Sequence, residues 1–154
     1  MSTNSTLKQV DQTGFKVGAA LTILLLALAF VLNSWLIVAI VALCQLAGAL
    51  GLPFAPYRLA YQRIIRPAGL AQPRVIADNP EPHHFAMLLG SVFNGLGAAL
   101  LASGSGVGWI PVFIVLALAN LQFWLDFCLG CWMYYQLHRL GVPGFKAAPA
   151  EDAR

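Results

Sequence analysis

The chain alternates between long apolar runs and short polar breaks. Apolar residues fill 15–32, 35–52, 84–102 and 109–130 with few interruptions, and each run is close to the roughly 20 residues that a helix needs to cross hydrocarbon. Only Asn33-Ser34 separates the first two. A chain cannot turn inside lipid without satisfying its backbone groups, so that break predicts a tight hairpin between antiparallel neighbours. Ser103-Gly-Ser-Gly-Val-Gly108 reads as an uncharged turn before the fourth run. The fourth helix is expected to start at Trp109 and to continue unbroken through Asp126-Phe-Cys-Leu-Gly-Cys-Trp-Met-Tyr-Tyr135 to about 140. Gly141 and Pro143 then stop it.

Composition makes these runs membrane spans. Of 154 residues, 59% are hydrophobic and 10% charged, against about 45–50% and about 25% in a soluble domain. The reading is a single membrane domain over 1–154, of all-α class: an integral membrane four-helix bundle. The run at 15–32 exceeds the ~7–15 residues of a secretory h-region and Asn33-Ser34-Trp35 offers no small-residue cleavage pattern, so it is read as a span. Residues 53–82 are rich in arginine and proline and form a loop, with a short interfacial helix expected between Tyr57 and Ile65. The tail, 144–154, is expected to be disordered.

Charge orients the bundle. All nine lysines and arginines lie in the N-terminal segment, the central loop or the C-terminal segment, and the two other turns have none. By the positive-inside rule the N and C termini and the loop at 53–82 face the cytoplasm. Trp35 and Trp109 then belong to the outer aromatic belt, with Tyr57, Tyr61, Trp132, Tyr134 and Tyr135 in the inner one. The partner implied is the lipid bilayer. A net charge of +3 spread in this way does not require nucleic acid.

Small residues mark packing seams: Ser91, Gly95, Ala98 and Ala102 in the third run, and Cys44, Gly48 and Gly51 in the second. At ~1.5 Å per residue, Gln45, Asn94 and Asn120 share one level near the bilayer centre. They either lock helix register through hydrogen bonds or line a polar pocket for a quinone or small solute.

The candidate chemistry gathers at Cys128 and Cys131. In a continuous helix their Cβ atoms stand ~5–6 Å apart, beyond the ~3.8 Å that a disulfide needs. Lying far from any helix start, neither thiolate is stabilised by the dipole. The pair is therefore expected to be thiols or metal ligands on a reducing side, and redox chemistry requires a local break at Gly130. On that helix Cys128, Cys131 and His138 share a face, to which His83 or His84 would add a ligand of the kind zinc accepts. Asp126 points the other way. It is expected to pair with Arg63 or Arg66, and as an acidic group at the membrane border it is also a catalytic candidate. Gly104-Ser-Gly106-Val-Gly108 lacks the lysine of a phosphate loop.

Val10-Asp11, the arginines and Pro67 after the second run, Asn79-Pro80-x-Pro82-x-His84-Phe85-Ala86 and Phe127-Cys-Leu-Gly-Cys131 together resemble domain-of-unknown-function family 4395, over nearly the whole chain. Two positions depart from its pattern: His84 stands where an arginine is common, and Trp132 where an acidic residue is. The resemblance implies a small multi-pass protein of the bacterial inner membrane with no assigned reaction. It further implies thioredoxin-like or sulfurtransferase partners. Three functions are consistent with these residues: thiol redox or sulfur relay through the C-x-x-C, a non-catalytic accessory or structural subunit of a larger membrane complex, and small-solute transport. No cofactor is required, and quinone and zinc are the candidates.

Overall fold

The structure is a computed structural model that describes residues 8–144. Helix α1 spans Gln12–Val31, opened by Asp11, whose carboxylate accepts the Thr13 N–H at 3.1 Å, as an N-cap should. It closes at Asn33, whose φ of 47° is left-handed, while the Ser34 N–H reaches back to the Ala29 carbonyl at 2.9 Å. This is the helix-ending turn that asparagine tolerates. Helix α2, Trp35–Ala49, returns beside α1. It stops three residues before the expected limit of 52, because Gly51 at φ 66° carries the chain out of the helix.

Helix α4 is Glu81–Ala102, and a 3₁₀ turn at Gly106–Gly108 leads into α5, Trp109–Leu125. By length and composition α1, α4, and α5 with its leading turn can each cross a membrane. Helix α2 is apolar but shorter, at 15 residues. Between α2 and α4, α3 at Pro56–Ala60 runs into a π turn at Tyr61–Ile65, where the short helix was expected. Tyr57 and Tyr61 are buried under the bundle rather than set in an exposed belt. Tyr61 donates to Asp11 at 2.6 Å, and Thr22 donates to Tyr57 at 3.1 Å.

Two features were not anticipated. Strand β1, Lys8–Asp11, pairs antiparallel with β2, Val75–Asp78, in the register Lys8↔Asp78, tying the start of α1 to the segment that leads into α4. The expected single helix from 109 to about 140 is also two. Asp126 adopts φ 54° and ends α5, and α6 begins afresh at Leu129–Arg139. The expected tail lies, from 145 onward, outside the described residues.

Leu26, Ala29, Val38, Val41, Ala98, Val112 and Val115 form the core, contributed by α1, α2, α4 and α5. Large apolar side chains such as Leu24, Leu43, Val92 and Ile110 point outward, the inverse of a water-soluble surface. The closest backbone approach falls beside the expected seam. Ser91 and Ala98 are buried, but Gly95 faces open space and Ala102 is exposed. It is Gly97 that meets Gly108: a Cβ on Gly97 would lie 2.8 Å from the Gly108 carbonyl oxygen. The 4-3-4 spacing identified the right helix and two of its buried positions, Ser91 and Ala98, but not Gly97. Gly97→Ala is expected to cost about 1–3 kcal/mol through overpacking, whereas Gly95→Ala leaves stability unchanged. Unfolding in mild detergent checks the pair, and equal effects would refute this packing.

Candidate functional site

The break after α5 determines what the cysteines can do. Asp126, exposed, holds Lys16 of α1 through both carboxylate oxygens, at 2.7 and 2.9 Å. The expected pairing with Arg63 or Arg66 is replaced by this contact, since the end of α5 lies beside the start of α1. Two residues on, Cys128 is extended and serves as N-cap of α6, its Sγ accepting the Cys131 N–H at 3.3 Å. The dipole argument thus reverses. A thiolate on Cys128 would sit at the positive end of a helix, where such groups are stabilised.

Cys128 and Cys131 are joined in a disulfide, with Cα atoms 5.2 Å apart. The expectation of two separate thiols rested on an unbroken helix and does not hold; the break comes before Cys128, not at Gly130. Gly130 has another task, because a Cβ there would lie 2.6 Å from the Ala86 Cβ and 2.8 Å from its Cα. Its hydrogen lets the first turn of α6 lie directly on α4.

That contact brings Cys131 to His83. The Cys131 Sγ stands 3.6 Å from His83 Nδ1, and His83 Nε2 lies 3.3 Å from Asp78 Oδ2. The other Asp78 oxygen accepts the Asn79 N–H at 2.8 Å, and Phe15 stacks on the imidazole at a centroid distance of 4.2 Å. The β1–β2 ribbon ends at Asp78 and so carries the carboxylate to the histidine. On the same face of α6, Tyr134 donates to Glu81, also in the first turn of α4, at 2.7 Å. Burial, and then the negative charge of Asp78, pushes the Tyr135 phenol up, so it stays neutral.

The metal-ligating set differs from the expected one. The donor atoms of His83, Cys128 and Cys131 all lie within 4.8 Å of one another. His84 turns to another face of α4, its ring beside Gly51, and His138 is about 10 Å further along α6 than Cys131. With the pair reduced, two thiolates and an imidazole would suit a thiophilic ion such as zinc. Asp78 would occupy the orienting position that carboxylates hold behind ligating histidines. His83 was readable only as one of two adjacent histidines, and helical phase with Ala86 and Gly90 marks it as the one facing α6. No pattern in the chain distinguishes Asp78.

The three amides do not converge. Asn94 donates to Gln45 at 2.9 Å within the core, whereas Asn120 donates to the Leu116 carbonyl of its own helix at 2.8 Å. Gln45 instead borders a cavity of about 550 Å³, together with Thr22, Tyr57, His83, Ala119 and Cys128. Burial pushes the Tyr57 phenol up to about 12, so it too remains neutral.

Residues 10–139 match a protein family described as Domain of unknown function (DUF4395). The chain belongs to this family. The DUF4395 match takes in the second half of β1, all of β2 with Asp78, His83 and the cysteine pair. No curated protein and no solved structure matches the chain.

Gly130→Ala is expected to lift α6 from Ala86 and so part Cys131 from His83. Disulfide exchange with dithiothreitol should slow about tenfold, equivalent to ~1.4 kcal/mol and within the range of an overpacking penalty. Thiol trapping on gels reads the rate, and an unchanged rate would show that the contact does not position the pair.

Proposed function

We propose that this protein is a thiol–disulfide exchange protein of the bacterial inner membrane, with its cysteine pair at the cytoplasmic rim. The observation that carries the reading is the placement of Cys128 at the start of an independent helix while His83, backed by Asp78, stands against Cys131. The arrangement divides the labour between the two sulfurs. Cys128 is half-buried and Cys131 buried, so an incoming thiolate reaches Cys128 first. The old S–S bond breaks, and Cys131 leaves as a thiolate that takes up a proton by way of His83, whose ring Asp78 holds in place. A second thiol of the donor then attacks its own sulfur in the mixed disulfide. It releases Cys128 as a thiolate to the N-terminus of α6 and leaves the donor oxidised. Electrons balance, because one disulfide is reduced and one is formed.

Four crossings are part of this proposal, with α2 as the short one. Every charged residue among those described lies at or beyond the bundle end that holds Asp11, Glu81 and Asp126, which supports placing that end at the cytoplasmic face. A thioredoxin-like or sulfurtransferase protein is the partner class suited to an exposed rim of Trp124, Phe127 and Trp132 around the disulfide. An accessory-subunit role would leave both cysteines dispensable. Transport draws no support from Asn120, which is bound to its own helix.

The test combines topology with trapping. Cys131→Ser should accumulate a mixed disulfide at Cys128 with glutathione disulfide, the Cys128 thiolate displacing one glutathione thiolate, and Cys128→Ser should form none. His83→Gln should slow exchange about 10²-fold, as loss of a positioned acid–base group does. Maleimide should label the reduced pair in inside-out vesicles and not in intact cells. Exchange that is indifferent to all three substitutions would eliminate the reading, and labelling from outside would invert the topology.

A second reading rests on the same three donors. If the reduced pair binds zinc with His83, the metal should protect both thiols from labelling, and His83→Gln should abolish that protection.

A further inference from the structure

The cavity beside Cys128 has no part in exchange with a water-borne dithiol. Gly97 of α4 lies against Gly108, in the turn that leads into α5. Towards the other end of the bundle the cavity of about 550 Å³ lies between α1, α2, α4, α5 and α6. Its volume falls in the range of sites for small organic ligands. One wall includes Val92, 61% exposed, and Ile114, 42% exposed, so the cavity meets the outer apolar surface of the bundle, where lipid lies in the proposed orientation. Its other limit is Cys128 and His83. The polar side chains on its walls include Gln45, Thr22 and Tyr57, and Gly90 leaves room for the Gln45 amide, which a Cβ would meet at 3.0 Å.

We infer that this cavity binds a membrane quinone, which accepts the electrons of the reduced Cys128–Cys131 pair. The inference rests on the exchange reading and names its second substrate. A molecule that enters through Val92 and Ile114 must dissolve in hydrocarbon. To restore the disulfide it must accept two electrons, and to settle near Gln45 and Tyr57 it needs hydrogen-bonding oxygens on an otherwise apolar body. A quinone meets all three demands. The Cys128 thiolate and the Cys131 thiol give up two electrons and one proton as the S–S bond forms. The electron pair passes to the quinone, whose oxygens take up two protons, one released by Cys131 by way of His83 and one from water, to give the quinol. Cys128 borders the cavity and Cys131 borders His83. The sulfur next to the quinone is therefore held at the helix N-terminus, and the sulfur that closes the disulfide gives its proton to His83 Nδ1.

The full chain in detergent is reduced, freed of reductant under anaerobic conditions and mixed with a short-chain benzoquinone. One quinol is expected per cysteine pair, at a rate that saturates with quinone. Ala119→Phe fills the cavity from the buried face of α5 and should lower that rate at least tenfold while exchange with dithiothreitol stays intact. Ala117→Phe, on the exposed face of the same helix, should change neither. If Ala119→Phe does not fold, photolabelling of the unaltered chain with an azidoquinone replaces it, and the label should fall on cavity-lining residues. A chain that exchanges with dithiothreitol but reduces quinone no faster than free dithiothreitol does, or a label placed elsewhere, overturns the quinone site alone. It leaves the cavity to lipid. A pair that does not exchange with dithiothreitol overturns both readings.

Discussion

The N–H groups at the start of a helix have no partners within it and draw negative charge to themselves, and at α6 the group they meet is Cys128. Everything chemical about the site depends on there being a helix start at that point. If α5 ran on, Cys128 would be one more side chain on an apolar surface, with its thiolate opposed by the carbonyl end of the helix. The left-handed turn at Asp126 ends α5 and frees the chain to reverse its capping. The lysine of α1 bound to that aspartate ties the break to the neighbouring helix.

The break also changes what lies against the cysteines. Gly130 admits the first turn of α6 to van der Waals contact with Ala86, and one further residue brings Cys131 to His83. The histidine is held in turn by Asp78 at the end of the β ribbon and by the Phe15 ring. Residues from β2, α1, α4 and α6 thus converge on one sulfur. The ribbon, which adds little to the core, is understandable as the support for the carboxylate that holds His83. A lone carboxylate inside apolar packing is costly, and this one is paired on both oxygens.

How much of this was legible in the chain follows from which forces act locally. The long apolar runs, the hairpin at Asn33-Ser34, the short helix after Pro56 and the family were all readable, because hydrophobic length and turn chemistry act over a few residues. The end of α5 was not. Asp126-Phe-Cys carries no proline or glycine, and helical propensity alone favours continuation, so only the tertiary contact with Lys16 and the docking of α6 on α4 decide it. The expectation of His138 and His84 as ligands followed from that error, since a continuous helix gives α6 a different face and axis; it is His83 that meets the pair. The strands escaped notice for a similar reason: four residues at each end of a 60-residue separation pair only once the helices have brought them together.

The amides show where reasoning from depth reaches its limit. Gln45, Asn94 and Asn120 were placed at one level, and level alone does not decide whether side chains face one another. Asn94 turns inward and meets Gln45; Asn120 bonds one turn back along α5, the resort of a polar group with no neighbour to satisfy it. The cavity differs from the expected pocket: of the three amides, only Gln45 borders it, together with Cys128. In the proposed orientation, a cavity lined by Cys128 at one limit and by the outward-facing Val92 and Ile114 at the other would give hydrocarbon-soluble reactants a path to sulfur that water-borne ones lack.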